Sequence, residues 1–182
     1  MFHMKLQNAL DTLQQWDSQG RYVFRKHDLS VVLDESGSTL NQTVARLVKA
    51  GVLERPAHSV YLYAYSRHIG PTTIEHIARN LRRGEITYES LESALSRYGV
   101  ISQIPIDRLT LMTTGRSGEY PTSYGTIEFT HTKQPIETIV PNLIEREGHA
   151  LPIATKQLAY ENLRSTRRNL ELIDEGELHD QD

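Results

Sequence analysis

The pattern of apolar and polar positions in the first 68 residues predicts three helices and a pair of short strands. The predicted elements are helices over residues 4–15, 25–34 and 38–50, an extended run at 22–24, and strands at 52–53 and 60–63. The third helix has the clearest period, because Leu40, Val44 and Leu47 follow one another at steps of four and three residues. We expect Ser38 to cap this helix and Gly51 to end it. The order of elements is that of a winged helix-turn-helix.

A break in periodicity at residues 66–71 predicts a domain boundary, which gives domains of 1–68 and 69–182. The second domain is predicted to have helices over 73–83 and 88–98, paired strands over 109–114 and 126–132, and a last helix over 154–173. The expected fold class is therefore α+β, with an N-terminal winged helix-turn-helix and a small mixed α/β domain that ends in a long helix and an acidic tail.

Composition narrows the possible functions. The chain has 182 residues and no cysteine, which excludes disulfides, thiol nucleophiles and cysteine-ligated metal sites together. The N-terminus lacks the basic and then apolar run of a secretory signal, and no window reaches the length of apolar sequence that spans a bilayer. We expect a cytoplasmic protein without a membrane partner.

The net charge of −3 is unevenly distributed. Residues 1–68 carry eight Lys or Arg against six Asp or Glu, or +2, whereas residues 69–182 carry twelve against seventeen, or −5. The last twelve residues hold six acids and no Lys or Arg, which is typical of a solvated acidic tail. Any surface for nucleic acid is therefore expected in the first domain.

The polar face of the third predicted helix has side chains that suit base edges at its start and cations at its end. The candidate DNA-binding residues of this helix are Ser38, Thr39, Asn41, Gln42, Arg46 and Lys49. Supporting contacts are expected from Arg21, Arg25 and Lys26 near the second helix and from Arg55 and His58 in the predicted wing. Two alternatives remain: a polar face that is merely solvated, or a winged helix that is used for protein contacts.

The sequence offers no clear catalytic constellation. Walker A, Gly-x-Gly-x-x-Gly, His-Glu-x-x-His and Gly-x-Ser-x-Gly patterns are all absent. Asp107, Glu128 and Lys133 superficially resemble a metal-dependent nuclease, but a gap of five residues places Glu128 and Lys133 on opposite faces of one strand. We therefore expect no enzyme activity, no metal site and no cofactor.

A basic group near the C-terminus is the candidate partner-binding site. It consists of Arg164, Arg167 and Arg168 on the predicted last helix, where Arg164 and Arg168 would share a face. The alternative is that these arginines pair within the chain, with neighbouring acids. Those acids are Glu161, Glu171 and Asp174.

Three stretches of the chain resemble the AbiEi-type antitoxins of type IV toxin–antitoxin systems. They are residues 37–53 (GSTLNQTVARLVKAGVL), 88–101 (YESLESALSRYGVI) and 154–174 (ATKQLAYENLRSTRRNLELID). The middle stretch is the most specific, since many winged-helix regulators resemble the first. The similarity extends over most of the chain and follows the expected order.

The resemblance implies an antitoxin encoded beside a toxin that is commonly nucleotidyltransferase-like. In such antitoxins the N-terminal domain represses its own operon by binding repeats in promoter DNA, and the C-terminal domain supplies antitoxicity. Carried onto this chain, the DNA role falls on the six helix residues named above and on Arg55. The rival interpretation is a winged-helix transcriptional regulator whose C-terminal domain senses a small ligand and which has no toxin partner.

Overall fold

The computed structural model describes residues 5–102 and 106–179, so the predicted start of the first helix at Met4 lies outside the described residues. The fold is α+β, as expected from the sequence. The chain divides into two compact units, Met1–Leu81 and Arg82–Asp182. The division falls later than the predicted boundary at residue 68, because one further helix belongs to the N-terminal unit.

From residue 5 onward, where the structure describes it, the N-terminal unit contains four helices and a three-stranded sheet. Its elements are α1 (Leu6–Ser18), β1 (Val23–Arg25), α2 (Lys26–Val32), α3 (Gly37–Lys49), β2 (Leu53–Ala57), β3 (Val60–Tyr63) and α4 (Thr73–Leu81). The sheet order is β1-β3-β2, and both pairs are antiparallel. All four residues of β3 are buried, because this strand lies in the centre of the sheet.

Helix α4 belongs to the N-terminal unit, and it is the reason that the unit ends after the predicted domain boundary. It packs against β1 and β3 of the N-terminal sheet. Tyr22, which precedes β1, is 2% exposed, and its hydroxyl lies 3.0 Å from the hydroxyl of Thr73 in α4. The ring of Tyr22 also packs against His76, with ring centroids 5.3 Å apart. The Gly-Pro break at residues 70–71 is therefore a turn within the unit.

The lowered pKa of His76 predicts that the stability of this unit depends on pH. Burial lowers the pKa of His76, Arg79 and His68 act in the same direction, and Glu75 opposes them without prevailing. Below the ordinary histidine pKa of about 6.5, the unfolded chain therefore binds a proton that the folded chain resists. We expect the free energy of unfolding to fall as the pH decreases from about 6.5, and His76→Gln to make that fall shallower.

Urea titrations between pH 7.5 and 5, followed by the fluorescence of Trp16 in α1, would measure this effect. His27→Gln is the matched control, since His27 is exposed on α2. The expectation is contradicted if the His76→Gln variant and the unaltered protein lose stability in parallel over this pH range.

The C-terminal unit is built on a six-stranded mixed sheet. Its strands are β4 (Thr87–Glu89), β5 (Arg108–Thr113), β6 (Gly118–Thr122), β7 (Gly125–His131), β8 (Leu143–Ile144) and β9 (Ile153–Ala154), in the order β6-β7-β5-β4-β9-β8. Its helices are α5 (Leu91–Arg97), α6 (Ile136–Ile139), α7 (Lys156–Thr166) and α8 (Glu175–His179), with 3-10 turns at Val140–Asn142 and Leu170–Leu172. The core joins α5 and α7 to the β4, β5 and β9 strands.

The two predicted strands of this unit are present as β5 and β7 and are paired, but they run parallel. The Gly/Ser/Pro-rich connection between them contains β6, which forms an antiparallel hairpin with β7. A parallel pair requires a crossover connection, and β6 lies within it.

The predicted long helix over residues 154–173 is wrong. Helix α7 begins after Thr155, whose hydroxyl accepts a hydrogen bond from the backbone N–H of Leu158 at 3.3 Å, and it ends at Thr166. Arg167 and Asn169 both have a φ of 54°, in the left-handed region that a right-handed helix cannot include. The apolar pattern continues past this break because Leu172 of the 3-10 turn and Ile173 after it pack against the core, whereas Leu170 is 41% exposed.

Among the described helices, none has the length and apolarity needed to cross a bilayer.

Candidate nucleic-acid interface

Helix α3 presents one apolar face to the core and one polar face to solvent. Leu40, Val44 and Leu47 are buried, and Leu47 is completely inaccessible. Fully burying an aliphatic side chain of this size stabilises a fold by roughly 1.5–3 kcal/mol. The three side chains therefore fix the rotation of the helix about its axis.

The polar face of α3 contains the residues that the sequence indicated. Its exposed side chains are Ser38, Asn41, Gln42, Arg46 and Lys49, and Thr39 is half-buried beside them. The helix begins one residue earlier than predicted, with Ser36 rather than Ser38 as the N-cap. The hydroxyl of Ser38 is consequently on the outer surface of the first turn.

A hairpin follows α3 directly, since α3 packs against β2 and β2 pairs with β3. The β2–β3 register shifts between Glu54 and Ala57, so Arg55 lies in an irregular part of the strand and is exposed. Its guanidinium lies 3.1 Å from Nδ1 of His58 and 5.9 Å from the centre of the Tyr61 ring. These contacts hold a cation near the tip of the hairpin.

Three basic residues, Arg21, Arg25 and Lys26, lie around the start of α2. Arg21 pairs with the carboxylate of Asp28 at 3.1 Å and lies over the Trp16 ring at 5.5 Å. Asp28 also accepts a hydrogen bond from the backbone N–H of Arg25 at 2.7 Å. Arg25 is half-buried and Lys26 is exposed at the first position of α2. Arg21, expected as a supporting contact for DNA, is 44% exposed and also forms an ion pair with Asp28 of α2.

The candidate partner site near the C-terminus differs from its prediction. Since α7 ends at Thr166, Arg164 and Arg168 do not share a face of one helix. Arg164 is exposed and lies 5.7 Å from the centre of the Tyr160 ring, and Arg167 is exposed at the end of the helix. Arg168 is turned inward, so the three arginines do not form the continuous basic stripe that the sequence predicted.

Arg168 pairs within the chain, but with acids distant in sequence. Its guanidinium lies 2.9 Å from the carboxylate of Glu92 in α5 and also donates to Glu128 in β7. The amide of Asn169 donates to Glu92 at 2.7 Å. Burial lowers the pKa of Arg168, but hydrogen bonds to the two carboxylates outweigh it and the pKa is raised. The neighbouring acids expected from the sequence are not these partners.

Glu128, considered above as a metal ligand, is held by arginines. It accepts from Arg168 and, at 2.8 Å, from Arg108. Lys133 is exposed and lies beyond the end of β7. Asp107 has a φ of 62° in the turn before β5. Glu128 is therefore engaged with two cations, and the part of the chain that the structure describes holds no group of three or more His, Cys, Asp or Glu side chains that could bind a metal ion.

The most specific family-like stretch, residues 88–101, contains buried polar side chains that sequence reasoning missed. Glu89 is 1% exposed and pairs with Arg97 at 2.6 Å and with Arg146 at 2.7 Å. The sequence signal for these buried ion pairs was the presence of acids among apolar residues in this stretch, because a buried carboxylate requires a partner. The positions of those partners along the chain were not evident.

The same stretch forms a hydrogen-bonded network in the core. The side-chain oxygen of Asn162 in α7 accepts from the hydroxyls of Tyr88 at 3.3 Å and Ser90 at 2.8 Å. Burial raises the pKa of Tyr88 to about 12, so this phenol remains protonated and able to donate. The network joins β4 to α7, which gives these polar residues a structural role.

Comparisons with known proteins support a fold and not a family. No protein-family model matches the chain, and no curated protein matches it. Its structure is similar to the crystal structure of the RV2827C protein from Mycobacterium tuberculosis, with a TM-score of 0.58 and 13% sequence identity. The similarity covers 87% of this chain and 60% of that chain, so this chain spans less than two thirds of the other. At this identity, the similarity shows a shared fold.

Proposed function

We propose that the N-terminal unit is a winged helix-turn-helix that binds double-stranded promoter DNA, and that the whole chain is a cytoplasmic antitoxin of a type IV toxin–antitoxin system. In this proposal the protein represses its own operon by binding DNA repeats and neutralises a nucleotidyltransferase-like toxin. Neither activity requires catalysis by this chain.

The DNA-binding half of the proposal is supported chiefly by the division of α3 into a buried aliphatic face and an exposed polar face. The order of elements and the β1-β3-β2 sheet agree with a winged helix-turn-helix, in which α3 is the recognition helix and β2–β3 the wing. A helix anchored from behind can enter the major groove without unfolding any part of the unit.

The exposed residues of α3 suit the two kinds of contact that DNA recognition requires. Asn41 and Gln42 can each form a pair of hydrogen bonds with adenine in the major groove. Lys49 lies at the far end of the helix, where phosphate contacts set position and affinity. Arg55 of the wing and Lys26 at the start of α2 are further candidates for phosphate contact.

The antitoxin half is supported by the resemblance to AbiEi-type antitoxins in residues 88–101 and 154–174. In the C-terminal unit these segments supply α5 and α7, which pack on one another in the core. The family-like residues therefore build the body of the unit, and the surface of that body is the proposed site of antitoxicity.

A binding experiment with the intact chain tests the repressor half. Fluorescence anisotropy would compare a labelled duplex from the protein's own promoter with a shuffled duplex, at physiological salt. We expect specific binding at least about a thousandfold tighter than nonspecific binding. Equal affinity for the two duplexes would remove the repressor function.

Co-expression with the product of the adjacent open reading frame tests the antitoxin half. Rescue of growth by the intact chain supports the antitoxin, and absence of rescue favours the ligand-sensing regulator that is the rival interpretation. The two halves are tested separately, so one can fail without the other.

Lys49→Ala separates phosphate contacts from base contacts. We expect this variant to bind all duplexes more weakly by a similar factor and to reduce the slope of log K against log salt by about 0.9, the value for one phosphate contact in B-DNA. The measurement is a set of anisotropy titrations between about 50 and 200 mM salt, a range over which such contacts alter affinity strongly.

Lys133→Ala is the matched control for that experiment, because Lys133 is an exposed lysine of the C-terminal unit. Its salt slope should equal that of the unaltered protein. An unchanged slope in the Lys49→Ala variant would exclude this lysine from the phosphate contacts.

A further inference from the structure

Three aliphatic side chains in the C-terminal unit are strongly exposed within nine residues of sequence. Ile136 is 54% exposed, Val140 is 51% exposed and Ile144 is 45% exposed. We refer to these three residues as the β8 edge surface. Ile136 and Val140 are one helical turn apart, and Ile139 between them is completely buried. The short helix is thus anchored in the core while its outer side remains aliphatic.

Ile144 of this surface lies in β8, at one end of the six-stranded sheet, and Ile136 and Val140 precede that strand in sequence. Strand β8 is the last strand in the sheet order and pairs antiparallel with β9 on its inner side. The backbone on the outer side of a terminal strand is a template for pairing with another extended segment. Exposed aliphatic residues at such an edge are typical of an interaction site.

Acidic residues border this surface. Glu137, Glu145 and Glu147 are exposed beside it in sequence. Arg146, the cation in the same segment, is turned inward and lies 2.7 Å from the buried carboxylate of Glu89. The exposed charged side chains that adjoin this surface in sequence are therefore acidic.

The acidic residues beside the β8 edge surface favour one kind of binding partner over another. A second copy of this chain paired edge to edge would bring glutamates of one β8 segment against those of the other, which is unfavourable. An extended segment with aliphatic residues flanked by Lys or Arg would complement both the apolar and the acidic parts of the edge.

We propose that the β8 edge surface is the docking site for the protein partner, and that the occupant is an aliphatic segment with basic flanks that adds as a strand beside β8. This inference rests on the proposed antitoxin function, whose toxin would supply the segment. It replaces the expected partner site at Arg164, Arg167 and Arg168, since Arg168 is engaged with Glu92 and Glu128.

The test uses the intact chain and the purified product of the adjacent open reading frame as the probe, in isothermal titration calorimetry. The double variant Val140→Ser/Ile144→Ser should bind at least about tenfold more weakly, because it removes two of the three exposed aliphatic side chains of the surface. The double variant Glu145→Lys/Glu147→Lys should also bind more weakly, and its deficit should shrink as salt rises.

Leu170→Ser is the matched control. Leu170 is 41% exposed and lies in a 3-10 turn of the same unit, away from β8 in sequence. It should bind within about twofold of the unaltered chain, as expected for a surface residue outside an interface. Circular dichroism of each variant checks folding, and Ile136→Ser replaces the Val140→Ser/Ile144→Ser variant if that protein does not fold.

Each result distinguishes the docking site from the antitoxin function. If the unaltered chain and its β8 variants bind the toxin equally, the docking site is overturned and the antitoxin proposal stands. If the chain rescues growth but forms no complex with the toxin, the docking site is likewise overturned and the antitoxin proposal stands. A dimer of this chain that is lost in the Val140→Ser/Ile144→Ser variant, detected by sedimentation, identifies a second copy as the occupant and overturns the inference. Absence of both rescue and binding removes the antitoxin function, and the docking inference fails with it.

Discussion

Replacement of Asn41 and Gln42 by alanine is expected to reduce discrimination between the protein's own promoter and other DNA by about 1–3 kcal/mol for each residue. Both side chains are exposed on α3, whose rotation is fixed by buried aliphatic residues on the opposite face. An amide side chain can both donate to and accept from adenine, whereas alanine can do neither. Affinity for unrelated duplexes should change little, because it depends on phosphate contacts.

Anisotropy titrations of each single variant and of the double variant, on promoter and shuffled duplexes, would measure this loss. Gln14→Ala is the control, since Gln14 is an exposed glutamine on α1. If the double variant keeps the full ratio between the two duplexes, α3 does not read bases and the recognition-helix assignment is wrong.

Replacement of Arg168 by methionine is expected to lower the free energy of unfolding by about 3 kcal/mol, at the lower end of the range for breaking a buried ion pair. The side chain of Glu92 is only 4% exposed, and methionine leaves this carboxylate without its cation. The lower end applies because Arg168 itself is 33% exposed, and because Asn169 and Arg108 still donate to the two carboxylates.

Arg164→Met is the matched control, because Arg164 is an exposed arginine at the end of α7 with a ring contact to Tyr160. It should change stability by no more than about 0.5 kcal/mol, as is usual for surface substitutions. Urea denaturation followed by circular dichroism measures both variants. Similar midpoints for the two variants would mean that the contacts of Arg168 with Glu92 and Glu128 contribute little to stability.

The elements of the N-terminal unit were largely predictable because they depend on local sequence. The spacing of Leu40, Val44 and Leu47 determines which face of α3 is buried, and the polar residues between them must then face outward. The N-cap lies two residues before the predicted one, at Ser36 rather than Ser38, because neighbouring serines are equally suitable caps. The role of α4 was not predictable, since packing against β1 depends on contacts far apart in sequence.

The C-terminal unit was less predictable because its arrangement depends on contacts between residues far apart in sequence. The pairing of β5 with β7 was expected, but their parallel direction and the intervening β6 hairpin depend on the arrangement of the whole sheet. The long last helix was predicted from an apolar period that continues into a 3-10 turn. Periodicity reports burial, and it does not distinguish a continuous helix from two shorter segments that pack on one core.

The local sequence pattern was enough to indicate the α+β class and the polar face of α3, with its candidate contacts at Asn41, Gln42 and Lys49. These features depend on the helix period and on side-chain chemistry, which are both determined by a few neighbouring residues. The tertiary structure alone determined that Arg168 pairs with Glu92 and Glu128, that Glu89 is buried between two arginines, and that Ile144 is exposed on a terminal strand. Most of these contacts join positions tens of residues apart, although Arg97 is only eight residues from Glu89. Their energies arise only when burial removes the charges from water and strand order defines an edge.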